Sequence, residues 1–95
     1  MIYTLEDLKK ALIQAKIFER YELDKIGVFG SFARGENFND IDFYIEKDNI
    51  NYKEVEELQA DLEKLTQIKI DLIQKKYANP IVLRHAQKDM VYVTI

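Results

Sequence analysis

Residues 40–46 alternate without a break: Asp40, Asp42, Tyr44 and Glu46 are interleaved with Ile41, Phe43 and Ile45. A period of two belongs to a β-strand, whose successive side chains point to opposite faces. One face of this strand is apolar and has to be covered by other parts of the chain. The other face carries acids, and it aims Asp40 and Asp42 in the same direction. The rest of the chain must therefore build a core on one side of this strand and leave two carboxylates accessible on the other.

Just upstream lies Val28-Phe29-Gly30-Ser31-Phe32-Ala33-Arg34-Gly35, which holds two of the three glycines. Ile26, Val28 and Gly30 alternate with Lys25, Gly27 and Phe29, which predicts a strand over 24–30. Residues 31–35 then turn sharply, through about one helical turn. A strand that runs into a glycine and a helix start leaves backbone N–H groups without partners. Such groups bind anions, phosphate above all.

The flanking segments supply the cover. Residues 1–20 read as one helix, with Thr4 as N-cap, Asp7 three residues on, and Leu5, Leu8, Leu12 and Ala15 at helical spacing. Residues 51–65 read as a second, started by Asn51 with Glu54 and carrying the stripe Val55, Leu58, Leu62 and Leu65. Residues 68–74 form a strand with Ile68, Ile70 and Leu72 on one face and Lys69, Asp71 and Ile73 on the other. Asn79-Pro80 opens a short helix over 81–88, and the β-branched and aromatic run 90–95 makes a last strand. The order α-β-β-α-β-α-β predicts an α/β (α+β) fold, a small mixed sheet of about four strands flanked by helices.

Composition narrows the chemistry. Ninety-five residues, 47% of them hydrophobic, suit a single domain with one modest core. There is no cysteine, which excludes disulfides and thiolate metal sites, and one histidine, His85, which argues against a zinc centre. A metal here would sit among carboxylate oxygens, which favours magnesium or manganese. A net charge of −3 speaks against a nucleic-acid partner. With no signal peptide and no long apolar run in the sequence, the expected location is the cytoplasm.

Asp71 is the odd residue, an acid in the middle of an apolar strand. Set beside the Asp40/Asp42 strand, it would complete a carboxylate trio. Phosphoryl and nucleotidyl transfer need this: divalent ions held by shared carboxylates neutralise charge on the reacting phosphate oxygens. A third acid can also take the proton of an incoming hydroxyl. Asp-x-Asp alone is a weak signal, as is Gly-Ser alone; together on successive strands they are specific.

At these residues the sequence resembles a family. Gly30-Ser31-Phe32-Ala33-Arg34-Gly35, then Asp40-Ile41-Asp42, then Lys69-Ile70-Asp71-Leu72-Ile73 is similar to the minimal nucleotidyltransferases of the DNA polymerase β superfamily, antitoxin-type partners of HEPN-domain toxins. The resemblance covers nearly the whole chain. It implies that Gly30 and Ser31 hold the nucleotide phosphates, with Arg34 touching them. It implies that Asp40, Asp42 and Asp71 bind Mg2+ or Mn2+ and form the catalytic set. It further implies transfer of AMP from ATP to a tyrosine of a HEPN toxin supplied in trans; no membrane partner is expected, because the sequence has no long apolar run. One departure stands out. Eight residues, Phe32 to Asn39, separate Ser31 from Asp40, where the family commonly has about ten. Asn39 also stands where serine is usual. A two-residue shortening keeps side-chain parity but tightens the turn.

Two other readings stay open. The domain could be a non-catalytic antitoxin that neutralises its partner by covering it. It could also be a nucleic-acid module in which Gly27-x-x-Gly30 clamps phosphates. His85, next to Arg84 on the short helix, reads as a surface or interface residue.

Overall fold

The structure is a computed structural model that describes residues 2–95. The elements run α1 (Leu5–Gln14), α2 (Ile17–Arg20), β1 (Lys25–Phe29), α3 (Gly30–Ala33), β2 (Asp40–Ile45), α4 (Tyr52–Thr66), β3 (Lys69–Gln74), a 3-10 turn (Lys75–Tyr77), α5 (Pro80–Gln87) and β4 (Val91–Thr94). The sheet order is β3-β2-β1-β4. β1 pairs antiparallel with both β2 and β4, while β2 and β3 run parallel. This is the mixed four-stranded sheet expected from the alternation, with helices on both faces.

The helix starts are those of the capping residues. Thr4 accepts from the backbone N–H of Asp7, whose carboxylate accepts from the N–H of Thr4 in return. Asn51 and Glu54 make the same reciprocal pair. Caps of this kind stabilise a helix by about 1 kcal/mol each. The expected single helix over residues 1–20 is instead two. Lys16 takes a left-handed conformation at φ 56°, which ends α1 and re-aims the chain into α2. The break turns Ile17 and Phe18 inward, where both are almost fully buried.

The core lies between one face of the sheet and helices α1, α2 and α4. Ile41, Phe43 and Ile45 of β2 are fully buried there, with Leu8, Leu12, Leu58, Leu62 and Ile70. α5 covers part of the opposite face, where Ala86 and Leu83 pack on Phe29, Tyr44 and Ile73. The acids of β2 are on this second face. Since α5 is short, it shields Tyr44 but leaves the Asp40 end of the strand accessible.

Gly27 sits inside β1, buried under Met90 and Tyr44. A Cβ at Gly27 would meet Met90 Sδ at 2.6 Å, so its lack of a side chain serves packing. Gly27 is therefore inside a strand and Gly30 opens α3, so Gly27-x-x-Gly30 is not a phosphate-clamping loop and the nucleic-acid reading loses its motif. Among the described residues no helix is long and apolar enough to cross a membrane.

Candidate active site

Strand register assembles the acids. Asp42 and Asp71 are direct partners across the parallel β2–β3 pair, and Asp40 lies two residues upstream of Asp42 on the same face. One oxygen of each carboxylate falls within 4.8 Å of the others. The eight-residue spacer closes without pulling the acids apart. Phe32 and Phe38 fill the inside of that loop, edge to face with ring centroids 4.7 Å apart.

Gly30 lies on the other side of Asp42. It opens α3 at φ +78°, a conformation that other residues adopt only with strain. Space excludes a side chain there as well: a Cβ would come within 2.1 Å of Asp42 Oδ2. The glycine lets the carboxylate lie against the backbone of the turn that carries Ser31. In such a turn the first N–H groups have no partner within the helix.

The electrostatics of the trio are unbalanced. Asp42 is half-buried, and its carboxyl is pushed up to about 6, first by burial and then by the charges of Asp40 and Asp71, with Arg34 offsetting part of the effect. Like charges this close favour uptake of a proton or a cation. Oxygens bound to one cation at about 2.0–2.6 Å lie at most about 4–5 Å apart, and this trio meets that span. An all-oxygen, carboxylate-only donor set suits a hard divalent ion.

Arg34 stands at the edge of the site. Its Nη1 donates to Asp89 Oδ2 at 2.6 Å and its Nε pairs with Glu36 at 3.1 Å. A cleft of about 310 Å3 is lined by Phe29, Gly30, Arg34, Asp42 and, from α5 and the turn after it, Val82, His85, Ala86 and Asp89. Hollows of about 550 and 620 Å3 lie elsewhere, but among the described residues no carboxylate cluster faces them. The chemistry, not the volume, locates the site.

Sequence reasoning missed Asp89, and it read His85 as a surface or interface residue without tying it to the site. His85 is exposed, yet it lines the cleft that contains Asp42. The available signal was the spacing Val82, His85, Ala86, Asp89, which puts one face of a helix toward one neighbour.

The comparisons with known proteins agree with this geometry. The family described as polymerase beta, nucleotidyltransferase matches residues 13–93. A Methanocaldococcus jannaschii protein, provisionally named a protein adenylyltransferase, is 40% identical over 98 residues, covering 95% of this chain and 98% of its own. The protein adenylyltransferase MntA of Thermococcus cleftensis is 32% identical over 95 residues, covering 95% of this chain and 96% of its own. A solved structure of tri-AMPylated Shewanella oneidensis HEPN toxin in complex with MNT antitoxin contains the same fold. Its TM-score is 0.69 at 17% identity, covering 94% of this chain and 71% of that one.

Proposed function

Because the chain belongs to the polymerase beta nucleotidyltransferase family, we propose that it transfers AMP from ATP to a tyrosine hydroxyl of a HEPN-domain toxin. On this reading residues 1–95 act as one minimal nucleotidyltransferase domain, the antitoxin of a toxin–antitoxin pair, working in the cytoplasm. The observation that carries it is the convergence of Asp40, Asp42 and Asp71 on one face beside the Gly30 turn. The relatives named for protein adenylylation support the reaction, and the Shewanella complex supports the class of partner.

Asp40, Asp42 and Asp71 would hold the cation, Mg2+ or Mn2+. When bound, it neutralises charge that develops on the phosphate oxygens. Gly30 and Ser31 offer turn N–H groups and a hydroxyl to the outer phosphates, and Arg34 offers its guanidinium. Asp71, the exposed acid of the trio, takes the proton of the tyrosine hydroxyl. The tyrosine oxygen bonds to the α-phosphorus as the bond to the bridging oxygen breaks, and pyrophosphate leaves with that electron pair. On this reading the toxin presents its own tyrosine to the cleft.

The binding-only alternative drew on the short spacer. That spacer nevertheless leaves the three acids within reach of one another, and this favours a working site. The test is intact-mass measurement of a cognate HEPN toxin incubated with the protein, ATP and magnesium. AMP addition is expected with the wild type and is lost with Asp42→Ala or with chelator. Transfer unchanged in Asp42→Ala would overturn the mechanism. Full neutralisation of the toxin by Asp40→Ala/Asp42→Ala would put the binding-only reading in its place.

A further inference from the structure

We propose that Asp89 is a positioning residue for nucleotide binding, holding the Arg34 guanidinium at the mouth of the acidic cleft. The inference rests on the nucleotide reading of that cleft and extends it to a residue outside the family motif.

Arg34 is gripped from two directions. Asp89 accepts from Nη1 at 2.6 Å, and Glu36 faces Nε at 3.1 Å. A guanidinium has five N–H groups in a rigid planar fork. Those two contacts occupy one on Nη1 and the one on Nε, and leave both on Nη2 and the second on Nη1 for a ligand. An arginine held by one partner can swing about that contact, whereas one held on two sides keeps its plane. The side chain is 41% exposed and would otherwise sample many rotamers.

The placement of Asp89 follows from the fold. It lies just past α5, where its N–H donates to the carbonyl of Ala86. Asp89 continues the α5 face of Val82, His85 and Ala86 that lines the cleft with Gly30 and Asp42. The ion pair joins residues 55 positions apart and ties the end of α5 to the turn after α3. Exposed ion pairs add little to stability. The effect of this one falls on the geometry of the cleft.

The arrangement resolves a conflict at the site. Three carboxylates repel a triphosphate, and a single arginine nearby must be oriented if it is to compensate. Glu36 is on the same turn as Arg34 and moves with it, so Asp89 is the partner that fixes the guanidinium relative to the sheet.

The test is calorimetric titration of the full chain with a nonhydrolysable ATP analogue in magnesium, with thermal melts as a check on folding. Asp89→Ala is expected to weaken binding about tenfold, and Arg34→Ala at least as much. Asp89→Glu should stay within about threefold of wild type, because the charge and the acceptor survive. The double variant Arg34→Ala/Asp89→Ala should bind no more weakly than Arg34→Ala alone, as expected when one residue acts through the other. Should Asp89→Ala melt too low to titrate, Asp89→Asn keeps the shape and is expected to show a smaller loss in the same direction. Binding by Asp89→Ala equal to or tighter than wild type would overturn the proposal, as would additive losses in the double variant. Asp42→Asn separates the two levels. If it binds the analogue with magnesium as wild type does, the reading of the cleft fails. If it loses binding while Asp89→Ala does not, only the role of Asp89 fails.

Discussion

Gly30 and Asp42 share one small volume: a side-chain carbon at position 30 would lie 2.1 Å from Oδ2 of Asp42. The turn that would face phosphate and the acid that would face metal are thus built as one unit. Gly30→Ala should damage both. The left-handed backbone makes alanine costly by about 1–2 kcal/mol, and the new methyl must displace the carboxylate. Misplacement of a reacting group by about 1 Å costs on the order of a hundredfold in rate. AMP transfer should therefore fall at least that far in Gly30→Ala, with a lower melting temperature. Retention of wild-type activity would show that Asp42 does not need its present seat.

The raised Asp42 makes a second prediction, for the protein in chelator. Its carboxyl stands at about 6 in the folded state against 3.8 for an ordinary aspartate. The folded chain holds this proton more tightly than the unfolded chain does. The group therefore supports folding fully below pH 3.8, and that support is lost as pH rises through 6. Asp42→Asn should then be more stable than metal-free wild type at pH 7, by about 1–3 kcal/mol. The advantage should vanish near pH 4. Denaturant melts at the two pH values check this, and equal stability at pH 7 would contradict it.

Much of this arrangement is legible in the sequence, and the reason differs by element. Thr4–Asp7 and Asn51–Glu54 are local signals, because a cap and its partner lie three residues apart. Alternation alone puts Asp40 and Asp42 on one face of β2 and separates Asp71 from Ile70 and Leu72 on β3; that all three acids share one side of the sheet came from the parallel register, which sequence periodicity does not fix. The break at Lys16 was not legible. No glycine or proline marks it, and Ile17 and Phe18 continue an apolar pattern that a longer helix would also use. Asp89, and the place of the exposed His85 in the cleft, were missed because both depend on how α5 crosses the sheet, a long-range matter that local periodicity does not fix.

Tyr21 tests the separation of fold from site. Its ring is buried and its hydroxyl donates to Asp61, joining the end of α2 to α4 on the face of the sheet opposite the acids. Burial, then the Asp61 hydrogen bond, push the Tyr21 hydroxyl up to about 12. Tyr21→Phe should cost about 1–2 kcal/mol of stability, since it leaves Asp61 with one partner fewer. AMP transfer measured well below the melting temperature should not change. The hydroxyl supports folding below pH 10, and that support fades between pH 10 and 12, so Tyr21→Phe should lose less stability over that range than wild type. A large loss of transfer in Tyr21→Phe would show that the two faces of the sheet are coupled.

The account turns on whether three carboxylates from two strands act as one cation site. Manganese binding followed by electron paramagnetic resonance, in wild type and in Asp40→Asn, Asp42→Asn and Asp71→Asn, measures this directly. The account predicts saturable binding by wild type and at least tenfold weaker binding by each single variant, Asp71→Asn included. Wild-type affinity in Asp71→Asn would contradict it, because Asp71 would then stand beside the site without belonging to it.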